Sequence, residues 1–164
     1  MSVAFRRESD EEHKEPRFER PLPAGPNLVT ARGLALIDEQ IATLTAARDA
    51  ARAGTGTGTG TTTSTGSEDA DHIARALRYW QTRHATAALT AAPEDGSVGF
   101  GSVVDIVIAG KQRTIAIVGD DEADPKADRL AFTAPLARAL IGAEVGDVLP
   151  FAGRDAALTV VAVR

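Results

Sequence analysis

The chain has 164 residues, a net charge of −5, 43% apolar and 25% charged residues, and no cysteine. That fits one domain, or a small domain with an appendage, and excludes a disulfide framework or a thiolate metal site; the acidic balance argues against the basic footprint of a protein that grips nucleic-acid phosphates. No stretch approaches the roughly 20 apolar residues of a membrane span, and the opening lacks a signal peptide's apolar run, so a cytoplasmic protein without membrane contact is expected.

Residues 1–26 mix charges of both signs with four prolines and little apolar pattern. Such a segment buries too little surface to offset its ordering entropy, which predicts a disordered tail. Pro21 to Pro26 reads as an extended linker, since proline lacks the backbone donor a helix needs. From Thr30, a good N-cap, Leu34, Ile37, Ile41 and Leu44 recur at spacings of three, four and three. This is the seam of a packed helix, which Gly54 ends. Residues 54–66, GTGTGTGTTTSTG, are low in complexity and predict a flexible loop. Ile73, Leu77, Trp80, His84 and Ala87 then repeat the seam. Two such helices joined by a loop predict an antiparallel hairpin over residues 27–92, with arms of roughly 35 Å.

Pro93 and Gly96 mark a hinge over Ala92 to Ser97. Beyond it the period becomes two. Val103 to Ile108 and Arg113 to Val118 predict a β-hairpin about Ala109-Gly110-Lys111. Leu130 to Thr133 is a short third strand. Pro135 opens a helix that runs through Ile141 and is closed by Gly142. Val148 to Phe151 and Leu158 to Val163 complete the sheet. The fold class is α+β: a helical hairpin followed by an antiparallel β domain with one short helix, residues 98–164.

Several of these runs, in this order, carry a resemblance. Ile117-Val118-Gly119-Asp120-Asp121-Glu122-Ala123-Asp124, then Ala134-Pro135-Leu136-Ala137-Arg138-Ala139-Leu140-Ile141-Gly142, then Glu144-Val145-Gly146-Asp147, resemble the GreA/GreB family. Phe100-Gly101 is similar to that family's entry into its C-terminal domain, and Asn27 to Leu34 to its first-helix opening. The resemblance implies an FKBP-like C-terminal domain that docks on bacterial RNA polymerase at the mouth of the secondary channel. It also implies a coiled coil that enters the channel and presents acidic residues near the polymerase's own metal site. Hard oxygen ligands suit a second magnesium ion there.

What the resemblance implies for individual residues follows its motifs. Glu68, Asp69 and Asp71 match the second part of the acidic tip and are candidates for magnesium or channel contacts. The family's first acidic position falls on Thr65. Asp120, Asp121, Thr133, Ala134, Pro135 and Arg138 match the polymerase-docking region. Relatives carry Asp-Ser or Asn-Ser before the proline, where this chain has Thr133-Ala134. Each arm is about two turns shorter than the family's.

Other readings of the same residues stand beside these. Thr65-x-x-Glu68 has capping-box spacing, and Asp69 and Asp71 suit a helix N-terminus. Asp120, Asp121, Glu122 and Asp124 suit a turn. His84 reads as a seam histidine with one edge in solvent.

No Ser/His/Asp constellation, phosphate loop or zinc spacing is present, so no enzyme, no cofactor and no resident metal are expected. The expected protein is a monomeric regulator of transcript elongation that binds polymerase, contacts RNA at most indirectly in the channel, and stimulates cleavage weakly or not at all. The alternatives are an active cleavage factor, a relative of the regulator of nucleoside diphosphate kinase, and an FKBP-like prolyl isomerase. The few aromatic residues speak against the apolar pocket an isomerase needs.

Overall fold

The computed structural model describes residues 20–54 and 64–164. The expected tail therefore lies outside the described residues up to position 19, as does the centre of the Gly/Thr loop. In chain order the elements are β1 (Leu28–Val29), α1 (Ala31–Gly54), α2 (Ser64–Ala85), β2 (Ala88–Leu89), β3 (Val103–Ile108), β4 (Lys111–Val118), β5 (Arg129–Ala131), α3 (Pro135–Leu140), β6 (Val148–Phe151) and β7 (Arg154–Val163).

Helix α1 starts as its cap residue dictates. The Thr30 hydroxyl accepts the Gly33 N–H at 2.9 Å, satisfying one of the first turn's orphan donors. Of its seam, Ile37 is buried while Leu34, Ile41 and Leu44 are half-buried, as suits a two-helix arm wet on its outer side. On α2, Leu77 is buried and Ile73 and Trp80 are half-buried. His84 lies on the open flank, its Nε2 3.2 Å from Asp38 of α1.

Helix α2 is described from Ser64, and the side chain of Thr65, with its capping-box reading, lies outside the described residues. Glu68 and the residues after it stand beyond the first turn, where the helix dipole has largely decayed.

The β domain is one five-stranded sheet in the order β5-β4-β3-β7-β6. All neighbours run antiparallel except β4 and β5, which pair parallel, so the sheet is mostly rather than wholly antiparallel. Alternation sends Val104, Ile106, Ile115, Ile117, Leu158 and Val160 to one face, where Ala137 and Leu140 of α3 close over them. Edge strand β6 carries Pro150, which removes one exposed donor and blunts that edge.

Three strands differ in extent from the sequence pattern. β4 begins at Lys111, β7 at Arg154, and the third strand is shifted to Arg129–Ala131. The added residues of β4 and β7 are polar or small. The tight turns Ala109-Gly110 and Ala152-Gly153 bring them into register without an apolar signal. Both residues of each turn have positive φ, between 50° and 74°. Alanine pays for that conformation where asparagine tolerates it. Ala109→Asn and Ala152→Asn are each expected to raise stability by about 0.5–1 kcal/mol, read by chemical denaturation.

A small second sheet went unread in the sequence: β1 and β2 pair parallel, Leu28 against Ala88 and Val29 against Leu89. It ties the chain entering α1 to the chain leaving α2. The expected hinge after it is also fixed. Asp95 accepts from the Ser97 N–H and hydroxyl, and a side chain at Gly99 would collide with Pro93.

Candidate functional site

The acidic run after β4 is the centre of the molecule's polar chemistry. Gly119 brings it there: a Cβ at this position would sit 2.6 Å from the Leu28 carbonyl oxygen, so only glycine lets β4 abut β1. The next three carboxylates each take a different element. Asp120 accepts the Thr133 hydroxyl at 2.7 Å. Asp121 accepts the Tyr79 hydroxyl at 2.6 Å through Oδ1 and the Arg83 Nε–H through Oδ2. Glu122 accepts the Thr30 hydroxyl at 2.5 Å and lies 4.0 Å from the Arg32 guanidinium. A side chain at Gly33 would press on that Glu122 oxygen at 3.0 Å.

Tyr79, Arg83 and Glu122 are buried, at 6%, 4% and 7% exposure, so these are hydrogen-bonded, desolvated contacts rather than surface pairs. Around them, Asn27 donates to the Arg83 carbonyl at 2.6 Å and to the Thr86 hydroxyl at 3.0 Å. The Arg20 guanidinium stacks over the Tyr79 ring at 4.3 Å and reaches to 3.8 Å from Asp121. Burial, together with the Asp121 hydrogen bond and charge, pushes the Tyr79 phenol up to about 12, against the opposing pull of Arg20 and Arg83.

The chain has one tyrosine, so its titration is directly readable from phenolate absorbance. The folded value lies above the ordinary 10. The neutral phenol's contribution to stability is therefore complete below about pH 10 and is lost as the pH rises through about 12. In Asp121→Ala the midpoint is expected to fall but to stay above 10, because burial remains.

Each predicted site residue has a definite place. Asp120 and Thr133 are joined by their hydrogen bond, and Asp121 faces inward to α2. Ala134 precedes α3 in extended conformation, Pro135 opens it, and Arg138 lies on it; Pro135 and Arg138 are exposed. Asp124, the fourth acid, caps the turn Pro125–Ala127 through the Lys126 N–H and pairs with Arg129 at 3.0 Å. Glu68, Asp69 and Asp71 are exposed on α2, at the far end of the arm from the acidic run. Among the described residues no three His, Cys, Asp or Glu converge as a metal site. No helix among the described residues is long and apolar enough to cross a membrane.

The sequence reading missed Tyr79, Arg83 and Thr30 as partners of the acidic run. Their one signal is the four-residue spacing of Tyr79 and Arg83, off the Ile73-Leu77-Trp80 stripe, which gives α2 a second buried face.

Residues 92–164 match the family model described as transcription elongation factor, GreA/GreB, C-terminal domain. Transcription elongation factor GreA of Legionella pneumophila (strain Corby) is 48% identical over 59 residues, 35% of this chain and 37% of that protein. GreA of Thioalkalivibrio sulfidiphilus (strain HL-EbGR7) is 47% identical over 73 residues, 42% of this chain and 46% of that protein. The chain thus spans less than half the length of these curated relatives. Among solved structures, GreA factor homolog 1 of Thermus thermophilus is similar with a TM-score of 0.37 and 18% identity, over 85% of this chain and 99% of that one.

Proposed function

We propose that this chain, whose residues 92–164 match the GreA/GreB C-terminal domain, regulates transcript elongation by docking on bacterial RNA polymerase at the secondary channel, with little or no stimulation of transcript cleavage. In this reading residues 1–26 are a tail and linker, 27–92 the hairpin and 98–164 the docking domain. The protein works as a cytoplasmic monomer, and the polymerase owns any chemistry. The observation that carries the proposal is the family match over the whole β domain, with Pro135 and Arg138 of α3 exposed for contact.

Two features of the arm support the reading of weak cleavage. Helices of 24 and 22 residues give about 33–36 Å of reach. Thr65 stands where the resemblance implies a carboxylate, so a magnesium ion would lose a hard ligand. An FKBP-like isomerase is disfavoured because Leu140 and Ala137 fill the space between α3 and the sheet.

Titration against core polymerase tests the docking. The intact protein is expected to bind at micromolar Kd or tighter, and Pro135→Glu or Arg138→Glu to weaken binding about tenfold, about 1.4 kcal/mol, without unfolding the domain. Absence of binding to any cognate polymerase overturns the reading. Backtracked complexes with labelled RNA test the tip: slow cleavage, unchanged in a Glu68→Ala/Asp71→Ala variant, is expected. Strong cleavage lost in that variant would show an active cleavage factor instead.

A further inference from the structure

Asp120, Asp121 and Glu122 are consecutive, yet their side chains hold three elements distant in sequence. Asp120 holds Thr133 on the way into α3, Asp121 holds Tyr79 and Arg83 of α2, and Glu122 holds the cap of α1. A turn exposed for partner binding would leave such groups to water. Here the backbone of β4 carries them into the gap between arm and sheet, and Gly119 and Gly33 clear the space. Two helices held by adjacent residues of one strand end cannot pivot independently of the sheet without breaking a buried, charge-assisted bond. The parallel pairing of β1 with β2 restrains sliding but spans only two residue pairs, too short to set an angle alone.

We infer that Asp121, with Asp120 and Glu122 on either side, is a positioning residue that fixes the direction of the helical arm relative to the α3 docking turn. Its carboxylate acts through Tyr79 and Arg83 and touches no partner molecule. The inference deepens the polymerase reading and rests on it only for the consequence that docking at α3 aims the arm.

The chain has no cysteine, so spin labels on Ala46→Cys in α1 and Gln112→Cys in β4, both exposed positions, report the arm-to-sheet distance in the full-length protein. The parent is expected to give one narrow distance distribution. Asp121→Ala should broaden or displace it, and Tyr79→Phe, which removes only a hydroxyl, should do so to a lesser degree. Leu44→Ala, in the half-buried seam away from the joint, should lower the melting temperature and leave the distribution unchanged. A parental distribution in both Asp121→Ala and Tyr79→Phe overturns the inference. So does an equal broadening in Leu44→Ala, which would make arm integrity the cause. These distances are measured without polymerase, so they decide the joint even if docking fails. Where docking holds, Tyr79→Phe, outside the residues matched to the docking region, should keep the parent's affinity for core polymerase and weaken its effect on elongation. Retention of both overturns the proposed role.

Discussion

Leu140→Ala is expected to destabilise the protein by about 2–5 kcal/mol, toward the upper end of that range. Leu140 is fully buried where α3 closes over the sheet, within a cluster that includes Ile106, Ile115, Ile117 and Leu158. Those neighbours are branched residues fixed in strands, so they collapse poorly into the space a truncation leaves. The transfer loss and the cavity cost therefore both appear. Ile41→Ala on the arm is the instructive comparison. Ile41 is only half-buried, water reaches the vacated space, and a clearly smaller loss is expected. Guanidinium denaturation of both variants checks the order; an Ile41→Ala cost equal to that of Leu140→Ala would show a tighter arm than described.

The second large effect concerns charge. Asp121→Ala is expected to cost about 3–5 kcal/mol, because it strands the Arg83 guanidinium in a site only 4% exposed. Most of that cost is the penalty of leaving a buried charge unpaired, not the worth of the pair itself. Changing both partners together should therefore recover part of it. Asp121→Asn/Arg83→Met keeps similar volumes and removes both charges, so it is expected to be more stable than Asp121→Ala. A double-mutant cycle of Asp121→Asn, Arg83→Met and the double variant, measured by denaturation, reads the coupling, and simple additivity of the two single losses would rule out a desolvated pair. The surface pair Arg113–Asp128, with side chains 45% and 40% exposed, is the control and is expected to contribute at most about 1 kcal/mol.

What the sequence made legible was what local periodicity encodes. Thr30 as a cap, the Leu34–Leu44 seam, the alternation of Val103 to Ile108 and the helix opened by Pro135 are all decided by residues within a turn or two of one another. β1 and β2 were hidden because two residues cannot show a period, and their partners are 60 positions apart. The start of α2 was hidden because the Gly/Thr tract resembles a loop in composition, whereas its last residues join a helix that continues beyond them. The acidic run was hardest. From sequence, Asp120 to Asp124 reads equally as a solvated turn or as a docking surface. Only the position of β4 against β1 shows that three of these carboxylates are held by buried or partly buried hydrogen bonds between elements.

The two-residue ladder between β1 and β2 has a consequence for how such an arm can change over evolution. Paired strands lie about 4.8 Å apart, so the chain leaves and re-enters the base of the arm at nearly the same point. The part of the hairpin beyond Gly33 and Tyr79, past the contacts with the acidic run, is a removable cassette. Seven residues added to each helix would extend its reach by about 10 Å, and the same number removed would retract it, without moving Asn27, Arg83 or the sheet. Arm length is thus a separately heritable dimension of this architecture, adjustable by paired insertions while the base keeps its register.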